Sequence, residues 1–437
     1  MSNYEYPGDV GDWVSSPPLK GPSARRQRRS RLDHIEMFFA VASVFFAPMN
    51  FLRYPDFYLT LSDVFTFACL FMMLVNNSLP LRPFGSATPL WMVGIAMLIS
   101  GLLVSSIVNG DPSRGIIVAA QYFQAFLVLP MIIVMRPWWQ VIVLMKVFVF
   151  SIFVMCAYGI YLIDVDGQTN TNFVSGNGRL LSFVERANEC AALIALTIPL
   201  LLWLSGMGCI HRFVTWAFLL TFVYGIMLTG SNTGLLVALL GICVFFLGTV
   251  SWKRFMLGIF GAIGSVAIIG TWGQLFLPQV FLDRVFAAYQ SGELSKAGTF
   301  SDRLDLIFEA LRISDHTTLI GLGVDQYREV SEWGAPVHNT YLLILAEGGL
   351  LALIGLVVII AAGFMPAFNN RRQPRWWIAS ICTFCTVLIF AALINATAHV
   401  YGRFWIVPLV LAMAVSLTSR REGPVPWRLC KYDKNPE

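Results

Sequence analysis

The chain has 437 residues, 57% of them hydrophobic and only 13% charged, whereas an ordinary soluble domain carries about 25% charged residues; its mean hydropathy is +0.69. So little charge cannot solvate a globular surface or track a phosphate backbone, which excludes a soluble enzyme, a disordered interaction tail and a nucleic-acid-binding domain and leaves an integral membrane protein. The net charge of +5 comes from Lys and Arg gathered at segment ends, where they set orientation in a bilayer.

Residues 1–33 are polar, with Pro7, Pro17, Pro18 and Pro22 ahead of the basic cluster Arg25, Arg26, Arg28, Arg29 and Arg31; this composition predicts a disordered cytoplasmic tail. A cleavable signal peptide is not expected, because the apolar stretch that follows is too long and has no small-residue cleavage site. Between residues 34 and 418 lie about 12 apolar segments of roughly 17 to 26 residues, each able to cross a hydrocarbon core at about 1.5 Å per residue. They fall at 34–51, 57–75, 89–108, 115–135, 139–163, 187–205, 212–230, 233–250, 254–272, 339–364, 376–397 and 400–418. Counting Lys and Arg places roughly 19 basic residues on one side against about 10 on the other when both termini are inside, so the orientation is N-in/C-in and residues 419–437 form a second cytoplasmic tail.

Two polar loops then emerge outside, at 164–186 and 273–338. Within the longer one, residues 300–313 put Leu304, Ile307, Phe308 and Leu311 on one helical face and Asp302, Asp305, Glu309 and Arg312 mainly on the other, which predicts an amphipathic helix lying on the bundle or at the membrane surface. Gly258, Gly261 and Gly264 have close-packing spacing in the ninth span, and Gly321–Leu322–Gly323 reads as a turn rather than a phosphate loop. The eight cysteines suggest no disulfide framework, and Cys382 and Cys385, though spaced like a redox pair, sit in an apolar run and read as packing. The expected fold is therefore all-α: a polytopic helical bundle of 34–418 with a large outer loop, carrying the amphipathic helix, between the ninth and tenth spans.

A charge at membrane depth costs about 2.5 to 3.5 kcal/mol on insertion scales, so each requires a reason. Lys146 can snorkel to the headgroups, but Asp63 and Glu347 lie roughly 9 to 13 Å below the outer surface at helical rise. Around the same outer ends stand Arg53, Arg114, Arg179, Arg186, His338, Asn339, Asn395, His399 and Arg403, with Arg284, Arg303, Arg312 and Arg328 in the long loop. Several Arg beside intramembrane acids suit an anionic, lipid-borne ligand such as a diphosphate. His338 is the best placed base of the five histidines, because imidazole titrates near neutrality. Glu347, nine residues on, falls on the opposite face of the tenth span, so the two make no dyad on one helix. No His/Cys/Asp cluster has metal spacing, and no cofactor is expected.

The ordered set LTGSNTGLLVALLG (228–241), SDRLDLIFEALRI (301–313), LIGLGVDQYREV (319–330) and HNTYLLILAEGGLLAL (338–353) resembles the O-antigen ligase/polymerase family. The resemblance implies an inverting, metal-independent glycosyltransferase of the bacterial inner membrane whose active site faces the periplasm and whose partner is an undecaprenyl-diphosphate-linked glycan. It implies that His338 is catalytic and that Arg303 and Arg179 contact the diphosphate. The chain departs from the family pattern at Asn232, where Arg is usual; Arg186 and Arg403, or Arg114, are candidates to supply the missing contact. Asp63, Glu347, Asn339 and Asn232 are polar candidates either for sugar hydroxyls or for structure. Because the Arg set looks incomplete, a Wzy-type polymerase of O-antigen, capsule or exopolysaccharide is preferred, with an O-antigen ligase acting on lipid A core, or a protein O-oligosaccharyltransferase, as alternatives. A lipid-linked glycan flippase or secondary transporter is the alternative of another class, and a chain-length regulator is a candidate protein partner.

Overall fold

A computed structural model describes residues 24–54, 58–249, 277–286, 300–368 and 377–423, with isolated positions at 256 and 271 and short pieces at 425–426 and 429–430. In chain order the helices are α1 Ala24–Phe46, α2 Leu61–Asn76, α3 Thr88–Asn109, α4 Pro112–Ile133, α5 Trp138–Val165, α6 Ala187–Gly206, α7 Arg212–Thr229, α8 Asn232–Thr249, α9 Phe300–Thr317, α10 Thr340–Phe368, α11 Trp377–Leu393 and α12 Arg403–Glu422. Among the described residues eight helices are long and apolar enough to cross a membrane, and α2 and α11 are shorter apolar helices. The expected ninth span, 254–272, with Gly258, Gly261 and Gly264, lies outside the described residues, as do residues 1–23 of the expected tail. The basic cluster lies in the first turns of α1, which begins at Ala24; Arg is a good helix former and no helix breaker separates it from the apolar run.

Local chemistry sets the helix ends. Thr60 and Asp63 form a capping box at the start of α2, and Asp111 caps α4 ahead of Pro112, whose missing N–H costs nothing in a first turn. Small residues decide how closely helices approach. A Cβ on Gly101 would lie 2.6 Å from the Ala352 backbone, and one on Gly355 would lie 2.4 Å from that of Leu98, so α3 and α10 pack backbone to backbone, as small residues allow without a hydrophobic drive in lipid.

The tenth span is not one continuous helix. Gly349 has φ 72° inside α10, and the freed backbone groups bond the loop outside: Leu322 and Gly323 donate to the carbonyls of Ala346 and Glu347, and Leu350 donates to that of Thr318. Asn109 on α3 donates to Gly321 at 2.9 Å, and Ser106 accepts from Val324. The Gly321–Gly323 turn is thus a plug seated in a broken helix, consistent with non-helical backbone at membrane depth surviving only where protein re-satisfies it.

Helix α9 packs through a different face from the one its pattern suggests. Leu306 and Ala310 are buried, whereas Leu304, Phe308 and Leu311 are 38%, 65% and 45% exposed. Glu309, expected outside, is buried and accepts from Tyr327, Ser331 and the backbone of Glu332. An apolar period locates a stripe but not its partner; here a carboxylate with three donors docks the helix, and of the stripe Ile307 packs on the buried cluster while Leu304, Phe308 and Leu311 face outward.

The loops sort to two ends. Arg53 meets Glu185, Arg114 meets Asp325, and Thr340 donates to the carbonyl of Ile394, which gathers the connections 47–60, 166–186, 318–339 and 394–402 at one end. At the opposite end Arg136 pairs with Glu36 and Trp138 bonds Glu422 and Gly423. Cys209 and Cys430, 221 residues apart, form a disulfide there; sequence spacing carries no hint of it, since only the folded bundle brings the α6–α7 turn to the tail. Cys382 and Cys385 are buried and free.

Candidate functional site

His338 stands just ahead of α10 and is fixed by its neighbours rather than by bonds of its own. Asn339 caps the helix, accepting through Oδ1 from the backbone N–H groups of Tyr341 and Leu342, and the Thr340 hydroxyl donates to the carbonyl of Thr397 at 2.8 Å. The imidazole thereby lines a cavity of about 450 Å³ with Arg179, Arg186, Asn188 and Thr397, within the roughly 300 to 1,000 Å³ of ordinary ligand sites.

Arg179 reaches the cavity from a tight turn in the 166–186 loop, where the Ser175 N–H donates to the Arg179 carbonyl, the Arg179 N–H donates to Ser175 Oγ, and Gly178 has φ 75°. Its Nε donates to the Thr229 carbonyl at the end of α7 at 2.7 Å and its Nη2 to Asn188 Oδ1 at 3.0 Å. Both partners are neutral, so the cation is oriented without being neutralised. Burial, then Arg284 and Arg303 nearby, lower its pKa to about 10, still far above neutrality. Arg303 on α9 is likewise pushed down by burial and by Arg284. Arg186 precedes α6 and pairs with Glu189 at 3.4 Å while remaining largely exposed.

These cations act on His338. Burial first, then Arg303 and Arg186, hold its pKa below the usual imidazole value, so near neutral pH it carries a free lone pair and can accept a proton.

Arg284, on the turn at Leu282–Phe286, lines neither cavity but lies near Arg179 and Arg303, and motif reasoning left it in the background. Its Nε is buried with no hydrogen-bond acceptor among the described residues, and it stands close enough to Arg179 and Arg303 to lower both. Its stem crosses Gly230, where φ is 55° and a Cβ would come within 3.1 Å of Arg284 Cδ. A guanidinium therefore stands beside the start of α8, where Asn232 departs from the family pattern. The signal available in sequence was the Asp283–Arg284 pair between apolar residues in FLDRVF; its neighbour at Gly230 was invisible.

The other candidates lie elsewhere. Arg403 donates through Nε to Asp63 at 2.5 Å, with both side chains buried, and Asp63 also accepts from Thr60 and Gln124. Asp63 is thus a helix cap and counter-ion, fully enclosed and out of reach of a sugar. Arg403 lines a second cavity, of about 300 Å³, with His399 and Tyr401, not the one holding His338. Glu347 is buried beneath the plug, its carboxylate facing the backbone amides of Asp325 and Tyr327. Asn339 is a cap, and Asn232, which opens α8, lines neither cavity. Arg114 is occupied with Asp325. Among the described residues no three His, Cys, Asp or Glu side chains converge as metal ligands do.

Residues 216–357, which span α7 to α10 and include His338, Arg303 and Arg284, match the family model described as O-antigen ligase. This match supports the O-antigen ligase/polymerase resemblance, and with it a membrane protein that transfers glycosyl groups. No curated protein matches the chain.

Proposed function

Starting from that match, we propose that the protein is a bacterial inner-membrane glycosyltransferase that takes glycan from an undecaprenyl-diphosphate carrier on the periplasmic face and most readily polymerises repeat units. The observation that carries the reading is the pairing, in one cavity, of a base kept neutral with the Arg179 guanidinium, whose partners are a backbone carbonyl and an amide rather than a carboxylate. His338 takes the proton from the acceptor hydroxyl; that oxygen attacks the anomeric carbon from the face opposite the diphosphate; the bond to the leaving oxygen breaks and configuration inverts. Negative charge grows on the diphosphate as the bond breaks, so Arg179, Arg303, Arg284 and Arg186 stabilise the transition state more than the bound substrate. General-base catalysis contributes about 10² to 10⁴ in rate, and holding donor and acceptor in line adds to it.

Ligation to lipid A core is the second reading. The incomplete Arg set was the reason to prefer polymerisation, and Arg284 beside Gly230 weakens that reason. The test is an incubation of the purified chain with its native undecaprenyl-diphosphate repeat unit in EDTA. A ladder of products supports the metal-independent polymerase; transfer only after lipid A core is added supports the ligase; unchanged donor in both sinks glycosyl transfer and leaves transport.

A further inference from the structure

The second cavity, of about 300 Å³, shares the wall of Glu185, Arg186 and Glu189 with the first. Its charges are more fully paired than its neighbour's, where Arg179 is held only by neutral groups. Each of its Arg residues is matched by a carboxylate: Arg53 with Glu185 at 2.6 Å, Arg186 with Glu189 and Arg403 with Asp63. His399 adds no charge, since burial, then Arg186, Arg328 and His338, lower its pKa to about 4. What remains is a set of hydrogen-bonding groups and aromatic faces. Asn50 donates one N–H to Glu185, Tyr401 lies edge-on to Tyr122 and beside the His399 ring, and Tyr58 is half exposed on the cavity with φ 51°. A non-glycine residue in that region is uncommon, and such conformations persist where the surrounding structure over-determines them.

The geometry points to a saccharide site: the second cavity binds an uncharged sugar ring, its C–H face against Tyr58 and its hydroxyls on Asn50, Glu185 and His399, across the Arg186 wall from the diphosphate. Aromatic faces take apolar ring surface while carboxylate, amide and imidazole groups pair with hydroxyls, a combination an anion would not favour where every cation already has a partner. This inference rests on the glycosyltransferase reading, and the ring comes either from the acceptor or from the first sugar of the donor.

The full chain in lipid nanodiscs is titrated separately with two probes: the diphosphate-free repeat oligosaccharide prepared from the cell's own surface polysaccharide, and inorganic pyrophosphate. Tyr58→Ala, with Asn50→Ala as a second variant, is expected to weaken oligosaccharide binding about tenfold, the scale of one lost anchor contact, while pyrophosphate affinity stays the same. Arg179→Ala is expected to do the reverse. Oligosaccharide that fails to bind, or binds equally well to both cavity variants, overturns the saccharide site; pyrophosphate that fails to bind the wild type strikes at the diphosphate reading instead. In turnover, a rise in KM for acceptor alone assigns the ring to the acceptor and a rise for donor alone assigns it to the donor, each at unchanged kcat; no change in either KM overturns the inference.

Discussion

Two groups of arginines in this protein have opposite surroundings. Arg403 and Arg136 are buried against carboxylates, Asp63 at 2.5 Å and Glu36 at 3.1 Å, and Glu36 is further satisfied by Asn76 and Ser78. Arg179 is held by a backbone carbonyl and an amide, and Arg284 has a buried Nε with no acceptor among the described residues. The first kind of site spends its charge inside the fold, since a buried cation without a partner is costly. The second leaves a cation without a carboxylate partner among the described residues, Arg179 on the cavity and Arg284 beside it, where an anion can use it. The difference teaches that an arginine's role here is read from its partner, not from its depth.

The largest expected effect is at the base these cations surround. His338→Ala is expected to reduce glycan transfer by about 10² to 10⁴, read from product ladders, while membrane insertion and thermal unfolding stay as in the wild type; glycan of normal length and yield would sink the assignment. Next comes the structural pair. Asp63→Asn leaves Arg403 buried without its counter-ion and is expected to cost about 3 to 5 kcal/mol, whereas the double replacement Asp63→Leu with Arg403→Met recovers most of it, as followed by thermal unfolding in detergent. Equal losses in the single and double variants would show that the pair is not what matters.

The cavity arginines are expected to behave the other way. Arg179→Ala and Arg284→Ala each weaken pyrophosphate binding about 10- to 100-fold, the scale of a lost charge-assisted hydrogen bond, with thermal stability held or, for Arg284, raised. A stability loss without an affinity loss would move these residues into the structural group. The smallest effect is on pH. Because burial, Arg303 and Arg186 hold His338 below its usual value, its neutral form prevails near neutral pH, and the acid limb of kcat/KM lies below the usual imidazole range. Arg303→Gln or Arg186→Gln removes a cation, lets the pKa rise and moves the limb to higher pH; a limb that stays or falls breaks the link between the cations and the base.

Composition alone made this a helical membrane protein, because 13% charged residues leave no other solvent for so much apolar surface. Helix ends are set by local signals such as Asp111–Pro112 and Thr60 with Asp63, which act within a single turn, whereas hydropathy alone placed the spans at 57–75 and 115–135, a few residues from the helix starts. His338, Arg303 and Arg179 were nameable from motif order and Arg186 from its place among the outer charges, and the fold sets them near one another. What required the tertiary structure was every assignment that depends on a partner distant in the chain. Arg403 is matched by a carboxylate 340 positions away, most of the α9 stripe turns outward because Glu309 finds Tyr327 and Ser331, α10 breaks because the Gly321–Gly323 turn bonds it at Gly349, and Arg284 lies on Gly230. Sequence fixes which charges exist and roughly how deep they lie; only packing decides which of them are neutralised, because electrostatic pairing is a matter of a few ångströms in space and carries no period along the chain.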